Sequence, residues 1–394
     1  MVLSKSYLSS THLRIEILDP CTTMDQVEKI WGKLLVKCPH AYFLSWGWVS
    51  LWLSSVSFKV DIRFVVGYLD EEPVVGFFLG RKPGLRYGVL PSRTFSLNST
   101  GISNFDQLFV EYNTFLKVAL VDLSIKDLID SFGAWDEVIF PGVSAEFVDS
   151  IGIFNKIKQL YFLIDKTEKS YQVELQRIRD AKMDYLGLLS SNRRSQIRRS
   201  IKQYELGGRV VVNKASNLEE ASVMFDEMVE FHQREWKRRS RPGAFSNQFF
   251  YGFHRNLIVN RFDSGEIQLL KIHNEGMVIG YLYNFLYQGN VLFYQSGFNY
   301  TDGNSHRPGL VSHYMAILYN ASLGYFNYDF LAGEAQYKES LSTTTSSMYW
   351  LRLFRTQPRY QVEAVLHNLK QKIATMPVVM EKLKQIRFKL EADG

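Results

Sequence analysis

A chain of 394 residues is long for one hydrophobic core and suits two domains of nearly 200 residues each. A hydrophobic content of 46%, a charged content of 22% and a net charge of +6 are ordinary for a soluble globular protein; they fall short of the dense basic stripe that nucleic-acid binding requires. Two cysteines, Cys21 and Cys38, with no CxxC pair, exclude a zinc site of the usual kind and a disulfide framework, so no metal is expected.

The first residues, Met-Val-Leu-Ser-Lys-Ser, lack a signal-peptide core. The run from Ala41 to Val56 is too short and too often broken by Ser and Gly to span a bilayer. A reducing cytoplasm is therefore the expected compartment. Residues 13–18 alternate as a half-buried strand. A helix follows, opened by Thr22 or Thr23, with Val27, Ile30, Trp31, Leu34 and Leu35 on one face. Residues 44–54 read as an aromatic-rich helix, 60–80 as a hairpin, 86–90 as a strand, 105–120 as a helix and 137–140 as a strand. The polar stretch 166–205 reads as mostly helical.

Then the order repeats. Helices are expected over 221–236 and 245–259, a hairpin over 267–286, a strand over 291–298, a helix over 310–323 and a strand over 325–331. Residues 64–80 and 268–284, displaced by 204, share a polar turn followed by Val-(Val/Ile)-Gly, at Gly76 and Gly280. Residues 43–48 and 245–250 match at a displacement of 202. Two matches in nearly one register indicate a duplication. Each copy should be a mixed sheet covered by helices. A basic amphipathic helix, with a break at Pro377, is expected to close the chain; docking onto the second copy and peripheral membrane contact are its two readings.

The strongest local signal is Ser305-His306-Arg307-Pro308-Gly309-Leu310, which follows a strand and opens a helix. Backbone N–H groups, the helix dipole and an arginine converge there, as a pyrophosphate requires. The plainer reading is a loop and a capped helix. Downstream, Asp329 interrupts an apolar strand, and Gly333, Glu334, Tyr337 and Lys338 lie just beyond its end. Arg194, Arg198 and Lys202 recur every four residues on one helix, either as a solvated face or as a clamp for an anionic group. His232 and Trp236 share a face of another helix.

These residues resemble the GNAT acyltransferase superfamily, and most nearly its branch associated with polysaccharide biosynthesis. That branch carries Asp-Phe-x-x-Gly-(Asp/Glu)-x-x-Tyr-Lys, matched by Asp329, Phe330, Gly333, Glu334, Tyr337 and Lys338. Residues 189–202 and the helix bearing Phe231, His232 and Trp236 also look like it. The duplication is similar to the Fem-type peptidoglycan aminoacyltransferases. Of the family's donor loop, this chain keeps one arginine, Arg307, and one glycine, Gly309.

The resemblance implies an α/β fold of two tandem GNAT-like domains, over 1–165 and 166–358, each a mainly antiparallel mixed sheet flanked by helices, with a C-terminal helix over 359–394. It implies N-acyl transfer from acyl-CoA, or another activated donor, to a small-molecule or carrier-linked amine. Catalysis would fall to Glu334, favoured as base, with Asp329, Tyr337 and His232. The donor would meet Tyr294, Gln295, Ser296, Arg307, Gly309 and Leu310, and the acceptor Arg194, Arg198, Trp236 and Lys338. The first domain, lacking the basic and Tyr-Lys positions, is expected to be structural. Two alternatives stay open: aminoacyl transfer from aminoacyl-tRNA, and a non-catalytic module of a polysaccharide synthesis system.

Overall fold

The computed structural model describes residues 13–56, 60–86, 90–119, 131, 133–151, 160–300 and 306–355. The expected C-terminal helix over 359–394 and the start of the donor loop, 301–305, lie outside them. The first half runs β1 (Arg14–Leu18), α1 (Pro20–Lys37), α2 (Trp46–Ser55), β2 (Asp61–Leu69), β3 (Glu72–Arg86), β4 (Leu90–Leu97), the short β5 (Leu116–Lys117), β6 (Glu137–Ser144) and α3 (Ala145–Ile151). The long β7 (Leu160–Glu174) leads through α4 (Leu175–Asp180) and α5 (Ser191–Tyr204) to β8 (Val211–Lys214). The second half continues with α6 (Leu218–Arg238), α7 (Gln248–Arg261), β9 (Ile267–His273), β10 (Val278–Tyr287) and β11 (Asn290–Phe298). It ends with α8 (Pro308–Ser322), β12 (Asn327–Ala332), α9 (Gln336–Leu341) and β13 (Thr344–Arg355).

Thirteen strands among the described residues form one sheet, ordered β1-β2-β3-β4-β6-β13-β7-β12-β11-β10-β9-β8, with β5 against β3. The order reads alike from either edge towards the middle, as the duplication predicts. The repeat extends to detail. In both halves a short 3-10 turn (Tyr42–Leu44; Ala244–Ser246) precedes a capping residue, Ser45 or Asn247, and then the second helix. The two caps are 202 positions apart, the displacement seen in the sequence.

At the centre the halves exchange strands. β7 leaves the first half and pairs with β12 of the second, while β13 returns to pair with β6 of the first. The two pair with each other along 160–172 and 344–355. Position 165 thus lies inside β7. One apolar core, packed with α1, α2, α6 and α7, runs unbroken beneath both halves. Its rings interlock across the repeat: Trp48 of the first half meets Phe253 and Phe285 of the second in edge-on contacts. Edge-on pairs of this kind add to the area that the rings bury.

Four local expectations need correction. The first helix begins with Asp19 as its cap, not Thr22 or Thr23, because the Asp19 carboxylate accepts from the Cys21 amide and Pro20 suits the first turn. Of the strand expected over 86–90, the described residues place Arg86 at the end of β3 and Leu90 at the start of β4, which extends to Leu97. Residues 105–119 form turns and β5 rather than a helix. There Asn98 donates to the Thr114 carbonyl and the Asn113 side chain, and Asn113 to the carbonyls of Leu97 and Pro141, tying the segment to β4 and β6. Residues 166–174 are strand, since Tyr171 and Val173 alternate into the core while polar residues mask the period.

Candidate active site

The site begins with a fault in the sheet. Along β10 and β11, Tyr283 pairs with Gln295 but Asn284 with Phe293, so Tyr294 is bulged out of the ladder. On the other side, β11 pairs in parallel with β12 only over Asn290–Leu292. Beyond that the strands part. The Tyr294 peptide therefore has no register partner on either side.

The gap between the strands is a cavity of about 500 Å³. Phe293, Tyr294 and Gln295 of β11 line it together with Phe330, Leu331, Ala332 and Lys338; Ala244 and Phe250 close one side. Gln107, Phe109 and Glu111 come from the first half of the chain. The Tyr294 hydroxyl is buried and finds no hydrogen-bond partner among the described residues.

Glu111 is the residue that the sequence reading missed. It is buried, and its carboxylate accepts from the Ala332 N–H at 2.6 Å. Burial raises its pKa, and the nearby Asp329 and Glu168 charges add to the effect. The Ala332 amide and the Lys338 ammonium oppose them, leaving the carboxyl pushed up to about 8. Lys338 donates to the carbonyl of that same Ala332 at 2.8 Å, and burial pulls its pKa down. A carboxylate and an ammonium thus grip the two sides of one residue at the end of β12.

Asp329 lies in the sheet rather than in the cavity lining, and is buried. Its carboxylate accepts from the Tyr112 hydroxyl (2.6 Å), the Gln172 amide (3.0 Å), the Ser170 hydroxyl (3.4 Å) and the Leu331 N–H (2.8 Å). Burial raises its pKa against the pull of these donors. Tyr112 and Leu331 both take left-handed backbone angles, φ 53° and 60°, which bulky residues adopt only under constraint. Strand end, bulge and network converge there.

Past the end of β11 and outside the cavity lining, α8 starts at Pro308 with its Arg307 cap in a left-handed conformation, and no side chain caps the helix. Gly309 belongs there because a Cβ would stand 3.0 Å from the Phe298 ring. Leu310 instead turns its side chain into the core, and its amide is taken by the Arg307 carbonyl at 3.1 Å. Beside Arg307 lies Arg193 of α5. Burial and the Arg307 charge both lower the Arg193 pKa. No carboxylate pairs with either guanidinium among the described residues. Two adjacent cations at a helix N-terminus suit an anion. Of the expected clamp, Arg194 is half-buried and Arg198, near the Tyr314 ring of α8, is exposed.

His232 and Trp236 stand on α6 behind the cavity. The His232 Nδ1 lies 3.0 Å from the Ser296 carbonyl. A carbonyl only accepts, so Nδ1 carries the proton. Burial lowers the His232 pKa and keeps the ring neutral, with its Nε2 unpartnered among the described residues. Tyr337 stacks on His313 at 5.1 Å between ring centres. Glu334 is exposed and does not line the cavity. The structure thus gathers Tyr294, Gln295 and Lys338 at the gap, with Asp329 and Tyr337 behind it, and leaves Glu334 facing solvent.

The profile of the acetyltransferase (GNAT) domain matches residues 191–339. No curated protein matches the chain in sequence. Among solved structures, that of FemX is similar at 11% identity, covering 86% of this chain and 98% of its own, with a TM-score of 0.56. The structure of L-PGS from Bacillus licheniformis is similar at 11% identity over 86% of this chain and 95% of its own, with a TM-score of 0.49. A tandem GNAT protein from the clavulanic acid biosynthesis pathway is similar at 10% identity over 88% of this chain and 99% of its own, with a TM-score of 0.47. The FemX likeness shows the fold alone. Among the described residues no helix is long and apolar enough to cross a membrane, and no cluster of three His, Cys, Asp or Glu side chains could hold a metal.

Proposed function

We propose that the chain is an N-acyltransferase whose reaction centre is the gap between β11 and β12, with Glu111 rather than Glu334 as the base. The observation that carries this reading is the bulged Tyr294, out of register on both sides, lining the same cavity as a buried carboxylate. An activated acyl donor, with acyl-CoA the first candidate, would supply an electrophilic carbonyl. The residues fit such a donor: Arg307, Arg193 and the uncapped start of α8 suit a pyrophosphate, and the cavity begins where the strands part.

Each protein group then has one task. The Tyr294 N–H polarises the carbonyl oxygen, a term that preorganised donors in a dry site make large. The walls of Phe250, Phe293 and Phe330 exclude water. Glu111, ionised, takes the proton that the attacking ammonium must lose; a pKa near the working pH suits that exchange. Lys338 and Asp329 hold the strand end in place. No covalent enzyme intermediate is required, and Cys21 and Cys38 lie on α1 and at its end, away from the gap. A place in polysaccharide or cell-envelope synthesis, with a carrier-linked amine as acceptor, belongs to this proposal.

The test is a panel of thermal-shift titrations with acetyl-CoA, a longer acyl-CoA, an aminoacyl-tRNA and a nucleotide sugar. A ligand at 100 times its Kd adds about 2.7 kcal/mol of stability. Stabilisation by an acyl-CoA supports the reading. Stabilisation by aminoacyl-tRNA alone moves the donor to the Fem type. A response to the nucleotide sugar alone favours a non-catalytic module.

A further inference from the structure

Resting on the reading of Glu111 as base, we propose that Asp329, Tyr112 and Gln172 form a positioning unit through which the second half of the molecule orients the catalytic carboxylate of the first. The unit is built from three segments. Asp329 is on β12, Gln172 on the exchanged strand β7, and Tyr112 on the segment that carries Glu111. The Gln172 amide reaches both the Asp329 carboxylate and the Tyr112 hydroxyl, each at 3.0 Å. Tyr112 donates to Asp329 at 2.6 Å. Every partner is fixed by another.

Neighbouring residues in a left-handed turn point apart, and Tyr112 has that conformation. While Tyr112 is tied to Asp329, Glu111 lines the cavity and Tyr112 does not. On β12 the two carboxylates hold consecutive amides: Asp329 that of Leu331 and Glu111 that of Ala332. One bulged strand end therefore fixes the backbone on which Glu111 rests and the tyrosine that aims it. A second cavity, of about 190 Å³, lies against the opposite side of the unit, lined by Tyr112, Gln172 and Asp329 with His40, Tyr287 and Asn327. Tyr112 packs against the core on its other side, and its hydrogen bonds to Asp329, Ser170 and Gln172 fix the hydroxyl.

The groups that face Glu111 are Asp329 on β12, Glu168 on β7, Lys338 on α9 and Tyr294 on β11. Asp329 is the larger of the two acidic influences on it, after burial itself. Removing that charge should lower the Glu111 midpoint toward the ordinary glutamate value of about 4.3. Asn at 329 keeps one acceptor oxygen for the Leu331 N–H and can turn its NH2 to the Tyr112 hydroxyl as donor, so the shift can be read on a folded protein.

The experiment is an infrared pH titration of the full chain. The Glu111 carboxyl band is identified by its loss in Glu111→Gln, and its midpoint is compared in wild type, Asp329→Asn and Tyr112→Phe. Single-turnover rates are measured on the same proteins. A lowered midpoint in Asp329→Asn supports the unit. So does a roughly threefold to tenfold slower turnover in Tyr112→Phe at unchanged donor Kd, the scale of one hydrogen bond. Unchanged midpoints and rates in both variants, with Glu111→Gln inactive, overturn the unit alone. Full turnover in Glu111→Gln overturns the base assignment and, with it, the unit's catalytic role.

Discussion

The two halves treat one feature of their shared fold in opposite ways. In both, a strand and its parallel neighbour, β4 with β6 and β11 with β12, pair over three residues and then part. In the second half the parting is an open cavity beside a bulge. In the first it is shut. β4 pairs with β3 from Leu90 to Leu97 without a bulge, so no peptide is released there. Asn113 fills the gap: its amide donates to the carbonyls of Leu97 on β4 (3.0 Å) and Pro141 on β6 (2.9 Å). Asn98 completes the stitch by donating to the Asn113 side chain at 2.7 Å. The same segment that closes the first gap passes on, two residues earlier, to place Glu111 in the second. On the proposed function, the one reaction centre takes a contribution from both copies.

The largest effect expected is on turnover. Glu111→Gln should slow acyl transfer by about 100- to 10,000-fold in single-turnover assays while leaving the fold intact. Because the base must be ionised, wild-type activity should rise with pH as Glu111 loses its proton, and Glu111→Gln should lose that limb. Stability should run the other way. The folded state holds the proton more tightly than the unfolded chain, so stability is full below the ordinary glutamate pKa and is lost as pH rises toward about 8. Urea denaturation across that range should show this slope in wild type and a flatter one in Glu111→Gln. A first half that contributes nothing to chemistry would show neither.

Next in size is donor binding. Arg307→Ala should raise the donor Kd roughly tenfold or more, as removal of a charge-assisted contact does. Calorimetry at saturation should give one donor per chain. Two equivalent sites would break the contrast between the open and shut gaps.

A test of the shut gap is smaller still. Asn113→Ala takes the side-chain donor from the Leu97 and Pro141 carbonyls and the acceptor from Asn98, which should cost roughly 2–4 kcal/mol by urea denaturation. Donor stoichiometry should stay at one, since no bulged peptide lies behind the stitch. A second site appearing in this variant would mean that Asn113 alone had closed it.

Much of this was legible in the sequence, and the rest was hidden for identifiable reasons. The repeat showed because Gly76 and Gly280 follow a polar turn in equivalent hairpins. The start of α8 showed because Pro308 and Gly309 mark it chemically. Tyr294–Ser296 could be placed by the strand order, though the bulge could not, since register depends on the partner strand. Asp329 was visible as a charge inside an apolar strand. Glu111 carries the same mark, a lone carboxylate within Leu108-Phe109-Val110-Glu111-Tyr112. It was passed over because that stretch looked helical, and because nothing local says that it crosses to the other half. Strand exchange was equally invisible: the pairing of β7 with β12 joins residues about 150 positions apart, where tertiary contacts override local pattern.

The smallest effect expected is at Glu334, where the signature motif places an acid. The side chain is exposed, and no hydrogen bond or ion pair engages it among the described residues. Its motif neighbours behave differently: Lys338 is turned inward to the Ala332 carbonyl, and Tyr337 is stacked on His313. An exposed carboxylate outside the cavity keeps its solvation and is poorly placed to reach an acceptor held there. Glu334→Gln should therefore leave single-turnover rates at saturating donor within about twofold of wild type and the pH limb in place, whereas loss of a general base costs about 100-fold or more. A loss on that scale in Glu334→Gln, with Glu111→Gln active, would return the base to the loop after β12. It would also make the reaction centre the property of the second half alone.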